Sequence, residues 1–423
     1  MTDATRLCPW GGSRTVPALR RSSPYEELCL RMASSARERS GTRGRGGRLD
    51  FIDGLRAVAI LTVFLTHATE QLAEISSHGV IVSRVVYDLN FGRLGVVTFF
   101  AISGFLIPSS LRGDPLSGGI RFLFSRTFRL FPAFLLSVVP SVVTLHWMSG
   151  KPFEIHDLLL NLTMVPRWFG APWANNGYWT LEVEVLFYAI TLFLFLGGAI
   201  RNQFVLACVL GGLFLVFYSS QGLILGGALN PALTADTFFL CLNLSCMFWG
   251  ALCRIWWEGE RLEPIPLVLF WLFTAYWLAW APLFAAWHWW GLGLHDSDPR
   301  LLSGYGLGLG VFFVILATRL SLGRVMAWIG RVSYALYLFH SPVLFLEVWL
   351  AKGYLPFLQG QWLEVHILVT LAAGLLVSEA VHRWVERPGI RLGRVLSEGT
   401  LRGLGLFPPR AETAVVTRAT TRA

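Results

Sequence analysis

The groups able to move a proton in this chain lie where apolar sequence should exclude them. Asp53-Gly54-Leu55-Arg56 opens an apolar run that closes on Thr66-His67. Written as a helix, the step from Arg56 to His67 is about three turns plus roughly 20°. The guanidinium and the imidazole therefore share one stripe, about 16 Å apart along the axis. If that helix enters a bilayer near Arg56, His67 lies about halfway through a hydrocarbon core roughly 30 Å thick. A polar ring at that depth must face the protein interior or a wet cavity. There it can take a proton from a hydroxyl, or it can glue the bundle by a hydrogen bond to a neighbouring helix. Carboxylates recur in Trp179-Thr180-Leu181-Glu182-Val183-Glu184. Glu182 and Glu184 stand about 200° apart on a helix, so one turns outward to headgroups and the other into the bundle. The spacing does not choose between them. A His and a Glu facing one cavity can together deprotonate a hydroxyl.

Arg126-Thr127-Phe128-Arg129 adds two guanidiniums at i and i+3, on one helix face. Their planar forks suit phosphate, while ordinary positive-inside anchoring is the plain alternative. Gly92 to Phe105 carries small residues that permit close helix packing. Ser103 within it can bond inside its own helix or reach a ligand. A second imidazole, His340, sits in Ser333–Pro342, where gluing helices is the simpler role. His288, His295 and Asp298 could suggest a metal site, but they flank Trp287-His288-Trp289-Trp290 and read as a solvated loop beside an interfacial aromatic belt. The six cysteines form no CxxC pair and read as core residues, so no metal centre is expected.

The elements that must position these groups are membrane helices. Of the 423 residues, 54% are hydrophobic and only 14% charged, with eighteen Trp. A soluble domain carries about 25% charged residues. Mean hydropathy is +0.56. The formal charge of +9 comes almost wholly from arginine, since Lys151 and Lys352 are the only lysines. These arginines fall in tails and short loops between apolar runs, which points to membrane topology and away from nucleic acid. Spans are expected over 51–72, 93–112, 128–148, 178–198, 203–222, 237–257, 266–287, 301–319, 331–351 and 364–384, giving an all-α polytopic bundle of about ten transmembrane helices. The stretch Glu154–Val165 is too short to span and reads as an interfacial or re-entrant helix. The domain plan is a disordered Arg-rich tail over 1–48, a membrane domain over 49–394 and a disordered tail over 395–423. The first tail has no apolar signal-peptide core; a transit peptide, or an over-long start with Met32 as initiator, are its other readings. Arg112, Arg121, Arg126, Arg129, Arg201, Arg319, Arg324 and Arg383 fall on one side of the spans, which puts both termini in the cytoplasm.

Taken together, these stretches resemble membrane-bound acyltransferase family 3, multi-pass proteins that acylate sugars and other hydroxyl acceptors at the cell envelope. Asp53-Gly54-x-Arg56 with His67 is similar to the family's Arg-x10-His signature. Gly95-Val96…Phe99-Phe100…Ser103-Gly104-Phe105 resembles its second-span motif, and Arg126…Arg129 its RxxR. Trp179-Thr180-Leu181…Glu184…Phe187-Tyr188 resembles its fourth-span motif. Ser333-Tyr334…Tyr337-Leu338-Phe339-His340…Pro342 and Glu386-Arg387-Pro388 resemble its closing motifs. Departures are Glu182, where relatives more often carry a small polar residue, and Phe339, where Trp is frequent. The likeness covers about residues 49–394. Some relatives carry a hydrolase-like domain after the membrane part; the residues that follow here hold no G-x-S-x-G, and no second catalytic domain is expected in them.

The resemblance implies an enzyme of a bacterial plasma membrane with no tightly bound cofactor. Its donor would be acyl-CoA, acetyl-CoA by default, bound from the cytoplasm. Its acceptor would be a carbohydrate or a lipid-linked sugar hydroxyl, often on the outer side. Arg126 and Arg129 would hold the donor's phosphates, and Arg56 would hold donor or position Asp53. His67 would act as general base or transient acyl carrier, with Glu184 orienting it. Ser103, Trp179 and His340 would contact substrate as members of the matched motifs. The rival reading is a proton-coupled transporter or flippase of an envelope glycan precursor, since buried His, Glu and Arg suit that task too.

Overall fold

Apolar runs of this length have one stable form in lipid as single segments, because every backbone N–H and C=O must find its partner within the helix. The computed structural model describes residues 50–77, 79–225, 231–289 and 299–406. Its helices are α1 (Asp50–Leu72), α2 (Val80–Asp88), α3 (Phe91–Ser110), α4 (Pro115–Val142), α5 (Ile155–Asn161), α6 (Trp179–Leu196) and α7 (Gln203–Leu225). They continue with α8 (Pro231–Trp257), α9 (Pro264–Trp289), α10 (Pro299–Thr318), α11 (Gly323–Gly353), α12 (Leu363–Val381) and α13 (Arg387–Gly403). No strand occurs among the described residues. Among them, 8 helical stretches are long and apolar enough to cross a membrane, and shorter apolar parts of α9 and α10 supplement these. The chain is an all-α polytopic membrane bundle. The Arg-rich segment 1–48, the side chains of the 287–290 belt with the loop to Asp298, and the residues after 406 lie outside the described residues.

Three element boundaries differ from the hydropathy reading, each for a local reason. The third span begins at Pro115, well before Phe128. Asp114 caps it by accepting from Leu116 N and Ser117 N, both at 3.2 Å, and Pro115 fills the first position, where no N–H is needed. Arg121, Arg126 and Arg129 therefore ride on α4 itself. The last span does not stop at its arginines. A π turn (His382–Glu386) carries α12 into α13, whose early Pro388 costs no hydrogen bond. Residues 395–403 are thus helical, not part of a disordered tail. Gly389 and Gly393 let α13 lie against α4, since a Cβ on Gly389 would stand 2.8 Å from the Phe128 carbonyl oxygen. Within Glu154–Val165 only Ile155–Asn161 is helical.

The bundle centres on α1, which lies against α3 and α11; α3 in turn meets α8 and α10. Hydrophobicity alone does not drive helices together in lipid, so close approach at small residues matters. A Cβ on Gly104 would overlap the Met247 carbonyl of α8, and one on Gly250 would overlap the Ala101 carbonyl of α3. Gly330 of α11 sits in the same way against the Asp53 carbonyl of α1. These contacts fix α1, α3 and α11, and α4 and α6 close the space left between them.

Candidate active site

Five helices enclose the first cavity. Arg56 comes from α1, Ser103 from α3, Arg129 from α4, Glu184 from α6, and Tyr334 and Tyr337 from α11. The open space along the cavity amounts to about 710 Å³, solvent at its mouth included. Asp53, buried one turn earlier on α1, accepts from Arg56 Nη1 at 3.3 Å and so sets that guanidinium against the cavity. Arg126 behaves differently from Arg129. Its Nη2 donates to Ser110 Oγ at 2.9 Å, and its guanidinium lies over the Phe122 and Tyr188 rings at 5.5 and 5.8 Å. Of the RxxR pair it is Arg129 that lines the cavity. Glu184 faces the same space and accepts from the Tyr188 hydroxyl.

His67 lines a second cavity, with Glu70, His146, Lys151, Asn175 and Ser341 in its wall and about 1250 Å³ of space. One turn along α1, Glu70 Oε2 lies 3.2 Å from His67 Nδ1. A carboxylate there can accept from Nδ1–H, the tautomer that leaves the Nε2 lone pair free. The carboxylate within hydrogen-bond reach of His67 is Glu70. Glu184, expected in that role, is not brought to His67, because α6 delivers it to the guanidinium cavity. The His67 ring stacks on His340 with centroids 5.2 Å apart and planes at 29°. His340 is buried, its Nδ1 donates to the Tyr337 carbonyl at 2.7 Å, and its Nε2 accepts from Ser341 Oγ at 3.2 Å. With both nitrogens engaged, His340 backs His67; it does not line either cavity.

A thin wall separates the two spaces. Tyr337 Oη donates to the Gly177 carbonyl at 2.8 Å, and Thr180 Oγ1 lies 2.7 Å from Tyr337 Oη and 3.0 Å from that same carbonyl. Tyr337 and Thr180 line the first cavity and Gly177 lines the second. The Tyr337 ring is in turn 5.8 Å from the His340 ring. Sequence reasoning missed this wall, whose members lie far apart in the chain. It also missed Glu70, although Glu70 follows His67 at i+3 and the helix period puts them together.

Trp179, expected at the substrate, opens onto a third cavity of about 1240 Å³ shared with Arg93, Arg167, Trp173, Glu182 and Asn243. The Arg93 guanidinium lies 5.2 Å over the Trp179 ring. Glu182 accepts from Trp173 Nε1 at 2.9 Å and from the Arg167 backbone N at 3.3 Å. The two carboxylates of α6 thus serve different cavities, as their angular separation requires. Among the described residues no three His, Cys, Asp or Glu side chains converge as a metal would require.

Comparison of the sequence with known proteins points to one family. Peptidoglycan O-acetyltransferase OatA of Listeria monocytogenes is 25% identical over 394 residues, covering 80% of this chain and 55% of that protein. YrhL of Bacillus subtilis, a candidate peptidoglycan O-acetyltransferase, is 26% identical over 379 residues, covering 80% and 54%. A candidate O-acetyltransferase of Staphylococcus aureus strain COL is 24% identical over 375 residues, covering 80% and 56%. This chain spans about half the length of the curated relatives it matches. No solved structure matches it significantly. Residues 49–379, which hold α1 through most of α12 and every side chain of the three cavities, match the acyltransferase domain that defines acyltransferase family 3, and the chain belongs to that family.

Proposed function

We propose that this protein is a membrane O-acetyltransferase that moves acetyl from acetyl-CoA, held in the guanidinium cavity, to a glycan hydroxyl in the His67 cavity. One observation carries the reading. A cavity lined by Arg56 and Arg129 and an imidazole 3.2 Å from a carboxylate oxygen lie on opposite faces of a single wall, Tyr337–Thr180–Gly177. On the donor side, Arg56 and Arg129 attract the phosphates of coenzyme A, and a guanidinium fork suits them. Ser103 and the two tyrosines line the path along which the pantetheine arm carries the thioester to the wall. On the acceptor side, Glu70, His146, Lys151 and Asn175 offer the mixed donors and acceptors that sugar hydroxyls use. By the positive-inside rule the donor mouth would face the cytoplasm and the acceptor mouth the outside.

The chemistry assigns each proton. With the wall open, the acceptor hydroxyl gives its proton to His67 Nε2 as its oxygen attacks the thioester carbonyl. The new C–O bond forms, the C–S bond breaks, and the coenzyme A thiolate takes the proton back from His67. Glu70 stabilises the transient imidazolium through Nδ1, as a carboxylate does in a hydrolase triad. The acceptor class follows the names of two of the relatives, OatA and YrhL, which specify peptidoglycan.

The test is turnover of radiolabelled acetyl-CoA by purified protein in detergent with a glycan acceptor. The native protein should transfer label and His67→Ala should not, while still binding acetyl-CoA. Transfer undiminished in His67→Ala would remove the imidazole from the mechanism. No turnover by the native protein without a sealed vesicle would favour a transporter.

A further inference from the structure

We infer that the third cavity is a binding subsite for the sugar units next to the one acetylated. The inference rests on the glycan acceptor proposed above and extends it. The cavity's chemistry comes first. Trp168, Trp173 and Trp179 line it together with Arg93, Glu182 and Asn243. A pyranose has apolar C–H faces and a polar rim. Flat aromatic walls bury the faces, and charged and amide groups pair with the rim. Val183, Phe239 and Leu240 add apolar wall, and the two guanidiniums, the carboxylate and the amide set among them would leave a plain acyl chain with unpaired polar neighbours. Arg93 lies over the rings of Trp179, Phe239 and Tyr305, and Arg167 lies 4.8 Å over Trp173. Stacked guanidiniums keep a rigid in-plane donor geometry that suits paired oxygens.

Its position comes second. The loop from Pro166 to Gly177 separates this cavity from the one holding His67. Arg167, Trp168 and Trp173 face the third cavity, and Ala174, Asn175, Asn176 and Gly177 line the second. Trp173 and Asn175 are two residues apart, at most about 7 Å of chain. A linear glycan crossing this loop from a residue at His67 would bring its next units to the tryptophans. The loop is also held rigidly. Buried Asn161 accepts from Ala174 N at 2.8 Å and donates to the Pro172 carbonyl at 2.9 Å, and Glu182 fixes Trp173 and Arg167 from below. Trp168 stands 57% exposed at the rim, a stacking face that its own fold leaves open.

The probe is acetyl transfer to β-1,4-linked N-acetylglucosamine oligomers of two and of six units. Native protein should favour the longer oligomer in kcat/KM. Trp168→Ala, an exposed change that spares the fold, and Glu182→Gln, which keeps size and polarity, should each reduce that preference about tenfold. The KM for acetyl-CoA should stay where it was. Equal use of both oligomers by native protein, or a preference unchanged in both variants, would overturn the subsite and leave the proposed activity standing. A raised acetyl-CoA KM with the length preference intact would assign the cavity to the adenine nucleotide of the donor and likewise overturn it. Transfer to neither oligomer would sink the glycan reading and the subsite with it.

Discussion

The two cavities on either side of Tyr337 are built by opposite means. The guanidinium cavity is a core structure. Five helices supply it, its cations are set by Asp53 and by the turn of α4, and close helix packing at Gly330 and Gly104 fixes its walls. The His67 cavity is assembled from the later turns of α1, the π turn that follows α4, one face of α11 and a loop, and its groups are mostly polar. The first can be specific for one large anionic molecule, because its donors are pre-placed. The second can accept varied hydroxyls as long as one reaches Nε2.

The division makes the substitutions separable. The largest effect is expected from His67→Ala, which should lower kcat about 10²- to 10⁴-fold while acetyl-CoA binding, measured by isothermal titration, stays native. Lost donor binding would mean that the two cavities are one site. Next, Arg129→Ala should raise the KM for acetyl-CoA about 10- to 100-fold, the loss of one charge-assisted contact, with acceptor KM unmoved. Arg126→Ala should cost only about threefold, since Ser110 and two rings already engage that guanidinium. Equal losses for both arginines would show that Arg126 leaves its partners to hold donor.

Glu70 and Glu184 test the comparison most directly, since sequence reasoning assigned to one the role that the geometry gives the other. Glu70→Gln should cut kcat about tenfold without touching donor KM, because it weakens a hydrogen bond to the imidazolium. Glu184→Gln should act on donor KM. Steady-state kinetics with each substrate varied in turn will read both, and the reverse pattern would return the orienting role to Glu184.

What the sequence could and could not supply divides along the same line. The apolar runs made the helices readable, since a bilayer leaves backbone groups no other solution. The stripe shared by Arg56 and His67 was readable from the helix period, and so was the opposed facing of Glu182 and Glu184. The start of α4 was readable in principle, from Asp114-Pro115, but hydropathy hid it because Arg121 and Arg126 lie on the helix. Continuation past Pro388 was not, since it depends on a π turn and on α13 lying against Phe128. Which cavity each side chain enters was beyond reach. Arg56 and His67 share a stripe, yet the wall that divides them is made by Tyr337 and Thr180, 157 residues apart in sequence.

A small effect is also expected from that wall. Tyr337→Phe keeps the ring and its place beside His340 and removes only the hydroxyl bonded to Gly177 and Thr180. One neutral hydrogen bond is worth about 0.5–1.5 kcal/mol, so the change should be less than about tenfold. Its sign is the informative part. If Tyr337 is only a latch, loosening it makes the wall easier to open, and kcat should hold or rise up to about fivefold when opening limits turnover. Slow hydrolysis of acetyl-CoA in the absence of glycan should rise with it, because water then reaches the thioester from the His67 side. A kcat that falls more than about tenfold, with no added hydrolysis, would mean that the hydroxyl takes part in the transfer itself. The wall would then be part of the reacting centre, and the two cavities would be the halves of one active site.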